Sequence, residues 1–176
     1  MKEIIKATQP DFDDAVCLIR NAVKRLDEQG VNQWDDIYPS TEIIRSDIDR
    51  GILYKYVKLN KIVGIVSIDT NQPEKYKKIK WKKDGNYLVV HRLAVDPSVQ
   101  GQGISKIIMN FTEMYATKQN LESIRLDAFQ KNIIAVNLYK ALKYNIRGEV
   151  QFRKGMFYCF EKLLGNMDIP NKRFSP

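Results

Sequence analysis

The chain holds one histidine, His91, inside an apolar run from Tyr87 to Val95 that reads as a strand. With an ordinary pKa of about 6.5, an imidazole takes up and gives up protons near neutral pH, so His91 is a candidate general base. A lone histidine in an apolar strand is also commonly structural. The run closes at Asp96-Pro97 and leads through Gln100, Gly101, Gln102 and Gly103 into Ile104, Ile107, Ile108, Phe111 and Tyr115, apolar positions at helical spacing. A strand that turns through glycine into a helix presents free backbone N–H groups at the positive end of the helix dipole, which suits a phosphate. The spacing is neither GxGxxG nor GxxxxGK[ST], which disfavours a dinucleotide or nucleoside triphosphate site, and GxG alone is weak evidence. Cys17 and Cys159 have apolar flanks and no CxxC context, so they read as buried thiols, and no metal site is indicated.

The elements that must hold these residues can be read around them. Met1 to Ala7 reads as a strand ended by Pro10, and Phe12, Ala15, Val16, Leu18, Ile19, Val23 and Leu26 recur at helical spacing as far as Gly30. Ser40 or Thr41 caps a short second helix that ends near Gly51. Ile52 to Leu59 and Lys61 to Asp69 form a hairpin at Asn60, followed by a lysine-rich insertion from about Thr70 to Gly85. Glu122 to Phe129 is a strand, Asn132 to Leu142 a helix, and Tyr144 to Phe152 and Met156 to Leu164 two strands joined around Lys154-Gly155. The order is β-α-α-β-β-β-α-β-α-β-β, an α/β chain of about seven strands with a mixed sheet. Helices between consecutive strands predict local parallel pairing, and the hairpins predict antiparallel pairs. Residues 1–165 form one domain, with 166–176 a loosely held tail.

The string HRLAVDPSVQGQGISKIIM resembles the acetyl-coenzyme A motif of the GNAT-type N-acetyltransferases. Leu93-Ala94-Val95 matches the strand segment, and Gln100, Gly103 and Ser105 fall on the loop positions, Ser105 standing where Gly or Ala is usual. Downstream, Asn132, Ala135, Leu138 and Tyr139 resemble the family's Asn-x-x-Ala-x-x-Leu-Tyr helix. The resemblance implies a GNAT fold whose two central strands splay apart to receive acetyl-CoA. Backbone groups of Leu93 and Val95 would pair with the pantetheine arm, a backbone N–H near Leu93 or Ala94 would stabilise the oxyanion, and Gln100, Gly101, Gln102, Gly103, Ile104 and Ser105 would wrap the pyrophosphate. Asn132 and Ala135 would hold the cofactor from the other side, and Tyr139 would protonate the departing thiolate. On spacing alone, Tyr139 reads first as a core aromatic of an amphipathic helix, and it is the resemblance that reverses this. A histidine lies in a similar place in the serotonin acetyltransferase branch, which supports His91 as the base.

The implied reaction is direct acetyl transfer to an amine, on a small molecule, a peptide or a protein. Because the loop between the first two helices borders the acceptor cleft in the family, Trp34, Asp35, Asp36 and Tyr38 become candidate acceptor contacts, the acids suiting a cationic amine. A packed aromatic loop with solvated carboxylates is the plainer alternative.

At 176 residues, with 44% hydrophobic and 28% charged content, the composition is that of one globular domain. No apolar run approaches the roughly 20 residues of a membrane span, and the N-terminus lacks a signal peptide's apolar core, so a cytoplasmic protein without membrane partners is expected. The net charge of +8 is concentrated in Lys75 to Lys83, where six lysines interleave with Tyr76 and Trp81. Such a stretch could meet nucleic acid, but no RNP, zinc-finger or helix-turn-helix signature accompanies it, and a solvated loop is the commoner case. A non-catalytic domain that binds acetyl-CoA as a regulatory ligand is a further alternative. A homodimer is compatible with the family, though no residue pattern demands one.

Overall fold

The computed structural model describes residues 3–165, so the expected C-terminal tail lies outside the described residues. The elements run β1 (Glu3–Lys6), α1 (Phe12–Glu28), α2 (Thr41–Asp49), β2 (Leu53–Lys58), β3 (Lys61–Asp69), β4 (Tyr87–Val95), α3 (Ile104–Lys118), β5 (Ser123–Phe129), α4 (Ile133–Ala141), β6 (Asn145–Phe152) and β7 (Gly155–Leu163). This is the order read from the sequence. In α1 the helical spacing places Ala15, Val16, Leu18, Ile19 and Ala22 on one buried face, so Cys17, expected to be buried, lies on the exposed face, whereas Cys159 is buried. Helix α2 starts where Ser40 accepts the Ile43 N–H at 3.4 Å, the cap expected there.

The strands form one sheet in the order β1-β2-β3-β4-β5-β7-β6. Only β4 and β5 pair in parallel, across the single crossover helix α3. Two expected pairings differ. β1 and β2 are antiparallel, because two helices lie between them: one helix returns the chain to the end where the strand began, and a second carries it back again. β6 does not join β5, since β7 takes that slot and pairs antiparallel with both.

Helices cover both faces. On one, Leu18, Ile19, Ile44 and Ile48 of α1 and α2 pack on Leu53, Ile65 and Ala94. On the other, Ile104, Ile108, Met109 and Val136 of α3 and α4 pack on Val66, Leu88, Leu126 and Phe160. Each fully buried Leu or Ile contributes about 1.5–3 kcal/mol. Gly64 lets α3 lie directly on β3: a Cβ there would come within 2.6 Å of Ile108 Cδ1.

The lysine-rich insertion is folded onto the sheet. Its Tyr76 is fully buried beside Val89, Phe129, Phe157 and Cys159, with Trp81 packed against them. Arg125, 2% exposed, lies 3.8 Å from the Tyr87 ring centre and 4.6 Å from that of Trp81, and donates to Gln72 Oε1 at 2.8 Å and to the Lys83 carbonyl. Buried Glu161 accepts the Lys82 backbone N–H at 2.8 Å. The lysines face solvent, while Tyr76 is buried and Trp81 is half-buried with Arg125 over its ring.

Candidate active site

Strands β4 and β5 pair only at Tyr87–Ser123, Leu88–Ile124 and Val89–Arg125. Beyond that point β4 runs on to Val95 and β5 to Phe129 without pairing to each other. A bulge accompanies the divergence. The β3 register steps from Ile65 opposite Ala94 to Ser67 opposite His91, so Val66 faces both Arg92 and Leu93. Arg92 sits at φ 52°, a left-handed conformation that a long side chain adopts only under constraint. The constraint is visible: Arg92 Nη2 and Nε reach Asp47 Oδ2 at 2.6 and 2.7 Å, and the buried Asp47 also accepts the Ser67 hydroxyl at 2.5 Å.

A cavity of about 450 Å³ occupies the wedge. Its walls come from β4 (His91, Arg92, Leu93), β5 (Asp127, Ala128, Phe129), α4 and its cap (Asn132, Ala135, Tyr139), the loop before α2 (Gln33, Trp34, Tyr38) and the β6–β7 hairpin (Phe152, Arg153, Lys154, Phe157). His91 Nε2 lies 3.1 Å from Asp69 Oδ1. Asp69 also accepts Arg50 Nη2 at 2.6 Å and the Asn71 backbone N–H at 2.9 Å. Burial by itself would raise the Asp69 carboxyl, but these donors, His91 first, outweigh it and hold its pKa at about 2. An ionised carboxylate only accepts, so Nε2 carries the proton and a neutral His91 keeps its lone pair on Nδ1.

Tyr139 is 6% exposed, its ring against Tyr144 and Phe160. Burial, with the nearby charge of Asp127, pushes its pKa well above the usual phenol value, so it stays a neutral hydroxyl. Asp127 accepts the Tyr76 hydroxyl at 2.7 Å. Burial raises its carboxyl pKa, opposed by that hydrogen bond and by the His91 charge.

Next to the wedge, the turn into α3 has Gly101 at φ 79° and Gly103 at φ 75°, with no heavy atom within 4 Å of where a Cβ would stand on either. α2 and α4 are capped by Ser40 and Asn132, but no side chain caps α3. Its first N–H groups are therefore left for something else.

The family model for the Acetyltransferase (GNAT) family matches residues 18–144, a span that includes β4, the glycine turn and α4. The chain belongs to the GNAT acetyltransferase family. It is 23% identical over 146 residues, 81% of each chain, to YesJ of Bacillus subtilis (strain 168), described as an uncharacterised N-acetyltransferase. A GNAT-family acetyltransferase from Streptococcus agalactiae has the same fold, with a TM-score of 0.80 at 23% identity over 92% of this chain and 95% of that one. The PaiA N-acetyltransferase of Thermoplasma acidophilum, solved in complex with coenzyme A, gives 0.72 at 16% identity over 93% and 99%. The chain is thus an acetyltransferase of the GNAT fold.

The residues singled out by the GNAT resemblance fall in three places. His91, Leu93, Asn132, Ala135, Tyr139, Trp34 and Tyr38 line the cavity together. Gln100 to Ser105 form the turn and the start of α3, with Ile104 buried in the core below and Gln102 accepting Lys58 Nζ at 2.7 Å. Ala94 and Val95 send their side chains into the two cores, leaving only their backbone to a ligand. Asn132 has a local task as well: it accepts the Ala135 N–H at 3.0 Å and donates to Gln33 at 2.8 Å.

Asp35 departs from the expectation that it would face a cationic amine. Its carboxylate is taken by Arg153 Nη2, at 2.6 and 2.7 Å, and by Lys154 Nζ at 2.7 Å, contacts that hold its pKa far below the usual range. Asp36 lies with Asp35 along a separate groove beside α1. The two aromatics of this loop, not its acids, reach the cavity. Sequence reasoning missed Asp127, Arg92, Arg153 and Lys154. Asp127 did leave a signal: Arg125 and Asp127 alternate with Ile124, Leu126 and Ala128, placing two charges on one face of a central strand.

Proposed function

We propose that this GNAT domain moves the acetyl group of acetyl-CoA directly to a primary amine within the β4–β5 wedge. The observation that carries the reading is the unpaired wedge, which gathers His91, Asp127 and Tyr139 in one cavity beside an uncapped helix N-terminus. The residues fit the donor. An extended pantetheine arm suits strand edges left without a partner, and a pyrophosphate suits the free N–H groups behind Gly101 and Gly103, with Lys58 nearby through Gln102. When bound, acetyl-CoA supplies an activated thioester acyl group.

The chain's own residues then have distinct tasks. An amine arrives mostly as an ammonium, for which the Asp127 carboxyl in the cavity wall is a hydrogen-bond acceptor. It must lose a proton before it can attack, and His91 Nδ1, held by Asp69 through Nε2, is the acceptor for that proton, directly or through water. Tyr139, neutral until then, is the donor for the departing sulfur, and the proton that His91 takes from the amine balances the one Tyr139 gives up, restoring both side chains. Trp34 and Tyr38 shape the acceptor side, where Arg92 Nη1 donates to the Tyr38 hydroxyl at 3.0 Å.

Two measurements on the intact protein test this. Acetyl-CoA at 100 times its Kd should stabilise the fold by about 2.7 kcal/mol, and an amine panel should release free thiol. Stabilisation without thiol release from any amine would leave a domain that only binds acetyl-CoA.

A further inference from the structure

The cavity wall carries two polar groups on different elements: Asp127 of β5, which accepts the Tyr76 hydroxyl, and the Arg153–Lys154 turn, which binds Asp35. At the second group, the turn between β6 and β7, two cations face the cavity and share a single carboxylate. Arg92, the other cation of the wall, is already matched by Asp47. Arg153 spends only Nη2 on Asp35, so among the described residues its Nη1 and Nε are free to donate, and half of its side chain remains accessible. Lys154 uses one of its three donors on Asp35. The turn thus holds one carboxylate in charge-assisted contacts and keeps both charge and donors for another. The same wall carries four aromatic side chains, Trp34, Phe129, Phe152 and Phe157.

We propose that the acceptor is an amine that also carries a carboxylate, its amine directed to Asp127 and His91, its carboxylate to Arg153 and Lys154, and its apolar body along the aromatic wall. This rests on the acetyl-transfer reading and adds the substrate class. A plain cationic polyamine would place a second positive charge against the one region of the wall where cations are in excess.

The test uses primary amines in matched pairs: aromatic and aliphatic amino acids against their amides and their decarboxylated amines, with thiol release from acetyl-CoA as the readout. Wild type should prefer the carboxylate member by about 10- to 100-fold in kcat/KM, the value of one or two charge-assisted hydrogen bonds. The double variant Arg153→Gln/Lys154→Gln should lose that preference through a rise in KM for the carboxylates that exceeds any change with the decarboxylated amines by about 10-fold or more. Asp35→Asn, which frees the turn from its internal anion, should keep or enlarge the preference, and it answers the question even where the double variant does not fold. Equal or better use of the decarboxylated amines by wild type, retention of the preference in the folded double variant, or its fall in Asp35→Asn would each overturn the proposal. Thiol release from no amine, with acetyl-CoA still stabilising the protein, would instead remove the transfer reading on which it stands.

Discussion

At the scale of single residues, the proposed transfer divides the proton work between Tyr139 and His91, which line the same cavity. Tyr139 is kept neutral by burial, so Tyr139→Phe removes a donor and little else. Turnover should fall about 100-fold or more while acetyl-CoA affinity, read by titration calorimetry, stays within about two-fold. Asp69 acts through His91 by fixing which nitrogen holds the proton. Asp69→Asn should therefore lower kcat without altering acetyl-CoA affinity, and combining it with His91→Ala should cost no more than His91→Ala alone. As cavity residues, Tyr139 and His91 were legible because they stand in or beside recognisable motifs. Arg153 and Lys154 were not: on paper they are two charges at a hairpin tip, the usual solvated turn. Their partner Asp35 is 118 residues away, and only the sheet order brings the hairpin to the α1–α2 loop.

At the scale of elements, the local order was readable almost to the residue because each run carries its own period: 3.6 in the helices, near-continuous apolarity in β4 and β5. What the periods do not encode is which strand lies beside which. That β7 separates β5 from β6 depends on packing between distant runs, and so does the bulge at Arg92, where a non-glycine residue holds a left-handed φ. The glycine turn was legible for the opposite reason, since its conformation is written in residue types. Gly103→Ala puts a Cβ on a residue at φ 75°, which should cost about 1–2 kcal/mol in chemical denaturation and weaken acetyl-CoA binding at least as much. Asn132→Ala removes the α4 cap and the bond to Gln33, a loss of about 0.5–2 kcal/mol together with a raised KM for the amine.

For the molecule as a whole, two carboxylates move stability with pH in opposite senses. Asp69 is held at about 2, below its ordinary 3.8, so its donors stabilise the fold above pH 4 and that contribution is lost as pH falls toward 2. Asp69→Asn should be less stable than wild type at pH 7, and the gap should close across that window in thermal melts. Asp127 is raised, so ionising it costs stability at neutral pH, a cost relieved as pH falls through its folded value. Asp127→Asn should raise Tm at pH 7 while lowering turnover, and its gain should vanish in acid. A site that stabilised the fold would show both changes downward. The measurement closest to the central claim is amine-dependent thiol release from acetyl-CoA by wild type and Tyr139→Phe side by side. The account predicts release by wild type that requires the amine, reduced about 100-fold or more in the variant at unchanged acetyl-CoA affinity. Equal rates in the two proteins would contradict it.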